Sequence, residues 1–363
     1  MRKPFAHVGC YTSRAMTSAY LIYGANGYTG ELIAREAKAR GHTPILGGRN
    51  EAALSKLAGE LGFAYRTFPL DDAAATDAGL AGVSQVLNCA GPFSHTARAM
   101  VDACLRTRTH YLDVTGEVAV FEALAARDTE ARAAGVMLLP GVGFDVVPTD
   151  CLAAHVKRRL PSATHLSLGF QPAGGLSRGT TRSTIEGFGK PNLVRRNGVL
   201  TEQPLGALAR TIDFGRGPRF AIAIPWGDVS TAYYSTQIPD IEVFVAQPRA
   251  AQFVLRLNSV FAPLLQSAPV QTWLKDRVSP GGPDAEARAR GRSYVWGEAS
   301  DSAGTQVTSR LVTPEGYALT VLTAVAAVEK VAAGAAQPGF RTPSLAFGAD
   351  FILEIQGCTR TDA

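Results

Sequence analysis

The sequence predicts an α/β protein, with a doubly wound, mostly parallel sheet first and a second α+β domain with a mixed sheet after it. Three observations predict it. Strand-like and helix-like stretches alternate about six times before residue 140, with short connections. A loop with glycine at 24, 27 and 30 joins the first apolar run to the first helical pattern. Beyond about Gly143 the pieces "THLSLGFQ", "FAIAIPWG", "STAYYSTQ" and "IEVFVAQ" follow with no helical pattern between them.

In order along the chain, "AYLIYG" is a short apolar strand and "GELIAREAKARG" a helix stopped by Gly41. "TPILGG" is the second strand. "NEAALSKLAGELG" is a helix with Asn50 as N-cap and Gly62 as its stop. "AYRTFPLDD" and "SQVLNCAG" are the third and fourth strands, and "TARAMVDACLRT" is a helix. "HYLDVTGE" is a strand and loop, "VFEALAARDTEARAAG" a helix and "VMLLPG" a strand. In the second half, "FVLRLNSVFAPLLQSAPVQTWLKDRV" carries apolar residues at helical spacing and is broken by Pro263 and Pro269. "SPGGPDAEARARG" reads as a charged, exposed loop and "YALTVLTAVAAVEKVAAG" as a late helix.

The glycine loop has a strand before it and a helix after it, which gives its spacing a chemical meaning. The first glycine permits a tight turn. The second brings backbone N–H groups to a pyrophosphate, and the third lets helix and strand pack closely. The phosphates then meet the positive end of the helix. This is the dinucleotide-binding form of a Rossmann-type sheet. The end of the second strand selects the cofactor. An acid there serves the ribose hydroxyls of NAD, but this chain has Gly47-Gly48-Arg49-Asn50. Arg49 suits a 2′-phosphate, through charge-assisted hydrogen bonds and stacking on adenine. The expected cofactor is therefore NADP. Asp71 in "PLDD" is either an acceptor for the adenine amino group or a helix N-cap. "NCAGPF" at 88–93 ends the fourth strand with a rigid turn at Gly91 and Pro92. Cys89 has no basic neighbour in sequence and reads as a buried strand-end thiol, not a nucleophile.

Bulk properties exclude several classes. The 363 residues are 46% hydrophobic and 18% charged, which suits a globular protein of two domains. Of the 36 basic residues, Arg2, Lys3 and Arg14 lie in 1–15, which holds no acid; the other 33 face 31 acidic residues. A near-neutral body gives no reason to expect nucleic acid. No uninterrupted apolar run reaches the length of a transmembrane segment. The five cysteines form no C-x-x-C pair and the six histidines no close ligand pattern, so no metal is expected and a reduced, cytoplasmic location is. Residues 1–15 are expected to be a disordered extension with Met16 as the native start.

The stretches "YGANGYTG", "GGRN", "NCAGPF", "VDACLRTRTHYLDVTGE" and "LLPGVGFDVVPTD" resemble the saccharopine dehydrogenase-like oxidoreductases. "AIPWGDVSTAYYSTQIPDIEVF", "VWGEASD", "TPEGYALT" and "TPSLAFGADFILE" resemble a branch that includes trans-acting enoyl reductases. The resemblance runs from 18 to 357. It implies an NADP-binding domain over 16–147, an α+β substrate or dimerisation domain over 148–325, and a C-terminal segment, 326–363, packing back on the first domain. It implies NADP and hydride transfer. Carried over, Gly24, Asn26, Gly27, Tyr28, Thr29 and Gly30 would hold the pyrophosphate, and Arg49 and Asn50 the adenosine phosphate. Ala90, Gly91 and Pro92, with Thr115, Gly116 and Glu117, would border the nicotinamide. Gly143, Phe144 and Asp145 would face the cleft.

Three functions follow as expectations. The first is reduction of an activated C=C bond in a lipid-like or polyketide acyl substrate, drawn from that branch and from the apolar segment 253–274. That segment reads equally as a helical core or a homodimer layer. The proton donor is open among Tyr111, His95, Tyr233 and Tyr234, although His95 also reads as a first-turn residue and Tyr111 as a packed strand residue. The second is imine or amino-acid chemistry of the saccharopine type, in which Arg178 and Arg182 grip carboxylates; these also read as a solvated loop. The third is NADPH binding without turnover, with peripheral membrane contact through 250–278.

Overall fold

The structure is a computed structural model that describes residues 19–173, 181, 184–278 and 281–363, apart from the side chains of 254 and 257–260. The extension expected at 1–15, and Arg178 and Arg182, lie outside the described residues.

The first sheet is wholly parallel. Its elements are β1 (Tyr20–Tyr23), α1 (Tyr28–Ala39), β2 (Ile45–Gly48), α2 (Glu51–Leu61), β3 (Tyr65–Thr67) and α3 (Ala73–Gly79). They continue with β4 (Gln85–Asn88), α4 (Phe93–Thr107), β5 (His110–Asp113), α5 (Val118–Ala125), α6 (Asp128–Ala134) and β6 (Met137–Leu139). Leu21 of β1 pairs with Ile45 of β2 on one side and Val86 of β4 on the other. With β15 (Gly339–Phe340) at its edge, the strand order is β15-β6-β5-β4-β1-β2-β3, so the winding reverses between β1 and β4. Ligands collect at the carboxyl ends of strands at such a reversal. β1 and β4 are buried at every position, which explains their unbroken apolar reading.

The second sheet is mixed. Helix α7 (Val147–Arg159) leads to β7 (His165–Gln171), β8 (Asn192–Arg196), β9 (Val199–Gln203), β10 (Ala209–Asp213) and β11 (Pro218–Ala223). Then come α8 (Asp228–Thr236), β12 (Asp240–Ala246), α9 (Arg249–Val260), α10 (Ala262–Leu265), α11 (Ala268–Asp276) and α12 (Ala285–Arg290). The hairpin β13 (Arg292–Ser300) and β14 (Gln306–Pro314) precedes α13 (Gly316–Lys330), β15 (Gly339–Phe340), α14 (Pro343–Phe347) and β16 (Thr359–Asp362). The main order is β10-β11-β12-β7-β13-β14-β16, with β12 and β7 parallel and the other pairs antiparallel.

Several expectations need correction. "STAYYSTQ" is not a strand but helix α8. Its β-branched and aromatic residues suggest β structure, yet Val229, Ala232 and Thr236 recur at helical spacing and are buried. The loop expected at 279–291 contains α12, capped by Asp284, whose side chain accepts from the Ala287 N–H at 2.8 Å. "VFEALAARDTEARAAG" forms two helices, not one. Short α3 has too little apolar periodicity to show in the sequence. Pro263 and Pro269 do break the late segment, each standing in the first turn of a new helix.

The C-terminal segment serves both sheets. Helix α13 packs on α1, where Arg40 and Glu329 pair at 3.2 Å. β15 extends the first sheet beside β6, and β16 extends the second beside β14. By length and hydropathy, Gly316–Ala335 would suffice to cross a membrane, unlike anything the sequence reading anticipated. Here Leu319, Val321, Ala324, Val325, Ala327 and Val328 are buried in the core, so it is used as an interior helix.

Candidate functional site

The cofactor half lies where β1 and β4 diverge. Gly24 has φ +76°, and its N–H donates to Gly47 O at 2.8 Å, which ties the loop to the end of β2. A Cβ on Gly24 would stand 2.8 Å from the Ala90 nitrogen. The loops after β1 and β4 therefore touch, and only glycine fits. A Cβ on Gly30 would fall 2.4 Å from Gly24 O, so the third glycine sets the helix against its own loop. Helix α1 begins after Gly27 with no side-chain cap. Its first-turn N–H groups have no intrahelical acceptor and form a cradle for a pyrophosphate.

Arg49 follows β2, is exposed, and has no hydrogen-bond or ion-pair partner among the described residues. Asp71 is exposed after β3. The N-cap of α3 is Asp72, whose Oδ1 accepts from Ala75 N at 3.0 Å, so the capping alternative for Asp71 is overturned. Asn50 caps α2 by accepting from Ala53 N at 3.0 Å, which commits its carbonyl and leaves its NH₂. Tyr28 offers its backbone to the cradle while its side chain points elsewhere. Its hydroxyl donates to Pro283 O, and Arg288 donates to that hydroxyl at 2.8 Å. An uncapped helix start, a guanidinium without a partner and no acid at the end of β2 fit NADP.

The nicotinamide-side loops are braced from behind. Glu117 accepts from Phe93 N and Ser94 N, both at 2.8 Å, and so caps α4 from the β5 loop. Thr115 N donates to Asp113 Oδ1 at 2.9 Å, and Gly141 N donates to the same oxygen at 2.8 Å. Tyr111 donates to Asp113 Oδ2 at 2.7 Å. Asn88 Oδ1 accepts from Ala90 N at 3.1 Å, and Thr96 donates to Ala90 O at 2.6 Å. Burial pushes the Asp113 carboxyl up to about 6. This network holds 90–92 and 115–117 in register. Glu117 and Thr115 are thus positioning residues.

The other wall joins Gly116, Phe144 and Asp145 to residues around the second sheet. Gly116 packs so closely on Asp145 that a Cβ there would lie 2.7 Å from Asp145 Oδ2. No hydrogen bond or ion pair holds the Asp145 carboxyl among the described residues, and burial raises it to about 6. Phe144 meets Phe170 edge-to-face at 5.9 Å, and Phe170 meets Trp226 at 4.6 Å. Trp226 Nε1 is buried with no acceptor. Gly227, beside it, approaches Gly116 O to within 3.3 Å of its Cβ position. Behind them Asp228 is fully buried. It accepts from Thr149 at 2.6 Å, and burial, then the charges of Asp150 and Asp145, raise its carboxyl well above the usual range.

The proton-donor candidates scatter. Tyr111 is wholly buried in its strand and bonded to Asp113, as its packing alternative expects. His95 is exposed in the first turn of α4. Tyr233 lies under Arg195, 4.2 Å from ring to guanidinium, beside the β8–β9 hairpin. Tyr234 donates to Glu122 at 2.9 Å, and burial with that bond pushes it up to about 12. Tyr233 and Tyr234 make their contacts to Arg195 and Glu122, whereas Tyr111 braces the nicotinamide-side loops through Asp113. Sequence reasoning missed Phe170 and Trp226, which lie 25 to 110 positions from Gly116 and 144–145, although the Pro-Trp-Gly turn was a visible signal. Cys89 is a free thiol whose burial raises it far above thiolate-forming values. No group of metal-ligating side chains occurs among the described residues.

Comparison with known proteins places this geometry. Over 148 residues the chain is 32% identical to a trans-acting enoyl reductase of Mycobacterium leprae, covering 39% of this chain and 35% of that protein. Over 202 residues it is 27% identical to a saccharopine dehydrogenase-like oxidoreductase of Rattus norvegicus, covering 48% and 47%. The aligned regions thus span less than half of these curated relatives. The fold matches apo saccharopine dehydrogenase (L-Glu forming) from Saccharomyces cerevisiae with a TM-score of 0.64 over 95% of this chain and 100% of the other, at 12% identity. Residues 20–139 match the family model of the saccharopine dehydrogenase NADP binding domain. Residues 20–139 are thus an NADP-binding domain of the saccharopine dehydrogenase kind, with NADP as its cofactor.

Proposed function

We propose that the protein reduces the activated C=C bond of an acyl substrate, with NADPH as reductant and Asp145 as proton donor. The observation that carries this reading is the junction wall, where an unpaired carboxyl and an unpaired indole N–H stand beside aromatic faces. None of Phe144, Asp145, Phe170 and Trp226 is basic, which suits an apolar acyl chain better than a polycarboxylate. The partial identity to a trans-acting enoyl reductase points the same way.

Residues 24–30 and Arg49 would hold NADPH, which would supply the hydride for the substrate β-carbon. Asp145 gives its proton to the α-carbon and regains one from water. Trp226, tilted against Phe170, adds to the aromatic side of this wall. Gly116 lets Asp145 approach the nicotinamide border, and the Glu117 and Asp113 networks keep the two sides aligned. Burial suits Asp145 to the task, since an acid near pH 6 stays partly protonated close to neutrality.

The test is NADPH consumption on two substrates. One is a long-chain α,β-unsaturated acyl thioester, and the other a 2-oxo acid with an amino-acid partner. Turnover of the thioester alone is expected. Turnover of the second alone would overturn the reading in favour of imine chemistry and direct attention to Arg178 and Arg182. Tight NADPH binding with neither consumed would point to a binding protein.

A further inference from the structure

Segment 249–277 is built the opposite way from an ordinary surface helix. Three of its glutamines bond inward to the protein. Gln252 donates to Gly206 O at 2.9 Å, Gln266 to Gly189 O at 2.6 Å and Gln271 to Ile185 O at 2.9 Å. Four of its large apolar side chains face outward, with Phe253 68%, Phe261 52%, Leu264 58% and Trp273 53% exposed. Helices α10 and α11 bury no residue at all. Such a face requires an apolar neighbour.

We propose that this face docks on an anionic lipid surface. Charge decides between that and a second copy of the chain. Arg249 and Arg277 are exposed on the segment against a single exposed acid, Asp276, and Arg256 is exposed as well although its Nε donates inward to Gly206 O at 3.3 Å. Lys275 is already paired with Glu186 at 2.9 Å. A two-fold interface would set this patch against itself, and like charges would oppose. An anionic headgroup layer complements the arginines while the phenylalanines, leucine and tryptophan enter the acyl boundary. The Arg277 guanidinium lies 3.8 Å from the Trp273 ring, a pairing that places a cation and an amphipathic ring at one depth. Short helices broken at Pro263 and Pro269 can lie flat on such a surface.

The test is flotation of the full chain with vesicles of phosphatidylcholine alone or mixed with phosphatidylglycerol. Size is measured by light scattering in parallel, and NADPH binding reports the fold. Flotation with the anionic vesicles is expected, weakened by salt. In a variant carrying Phe253→Ser, Phe261→Ser, Leu264→Ser and Trp273→Ser, flotation should fall by roughly tenfold or more with NADPH affinity kept. A second variant, Arg249→Gln with Arg277→Gln, should lose the preference for anionic lipid. No association of the wild type with either vesicle would overturn the proposal. So would undiminished flotation of the serine variant. A wild-type dimer that the serine variant makes monomeric, without vesicle binding, would assign the face to a second copy instead.

Discussion

The cofactor cradle and the junction wall, the two halves of the proposed site, are built in different ways. The cradle is local. Seven consecutive residues, 24–30, supply its turn, its backbone donors and its close packing, and one exposed arginine supplies its charge. The wall is assembled from Gly116, Phe144, Asp145, Phe170 and Trp226, which the chain brings together only after both sheets have formed. Binding a shared cofactor needs fixed backbone geometry, whereas selecting a substrate needs side chains that can differ from one relative to the next. Damage to the two halves should therefore separate in measurement.

The largest separation is expected from Asp145→Asn. Loss of the acid should lower turnover by about 10²–10⁴-fold while leaving NADPH affinity intact, read by steady-state kinetics beside cofactor titration. Loss of both would merge the halves. Gly30→Ala should do the reverse. Its Cβ would be forced against Gly24 O, at a cost of about 1–3 kcal/mol in stability, and NADPH and NADH should weaken alike. Thermal unfolding and titration with each cofactor would check this. Arg49→Ala should sharpen the picture within the cradle. Removing charge-assisted bonds of about 1.5–3 kcal/mol should weaken NADPH about tenfold to a hundredfold and leave NADH nearly unchanged. Equal loss for both cofactors would contradict the assignment. Tyr111→Phe should be the mildest. It removes one bond to Asp113, costs about 1 kcal/mol in denaturant unfolding, and leaves turnover in place. A collapse of turnover without loss of stability would return Tyr111 to the list of acids.

The same contrast explains what the sequence revealed. The glycine loop, Asn50 as a cap, and the strands with apolar runs are readable because each depends on a few adjacent residues. Helix α8 was misread because β-branched and aromatic residues pull a local reading toward strand, while its buried face at Val229, Ala232 and Thr236 is set by tertiary packing. Glu117 was anticipated beside the nicotinamide, but its capping of α4 from 23 and 24 residues away is a long-range bond that no spacing announces. Asp145 was visible as a cleft residue through the "GVGFDVVPTD" stretch. Its role as an acid was not, because burial and the lack of a partner are properties of the assembled wall.

The most direct test of the account is the pH dependence of kcat/KM for NADPH-driven reduction of the acyl thioester. Asp145 must be protonated to act, and burial sets its free-enzyme value at about 6. The account predicts a rate that is level below that value and falls about tenfold for each pH unit above it. A profile that stays flat through and above that range, or rises there, would contradict Asp145 as the proton donor.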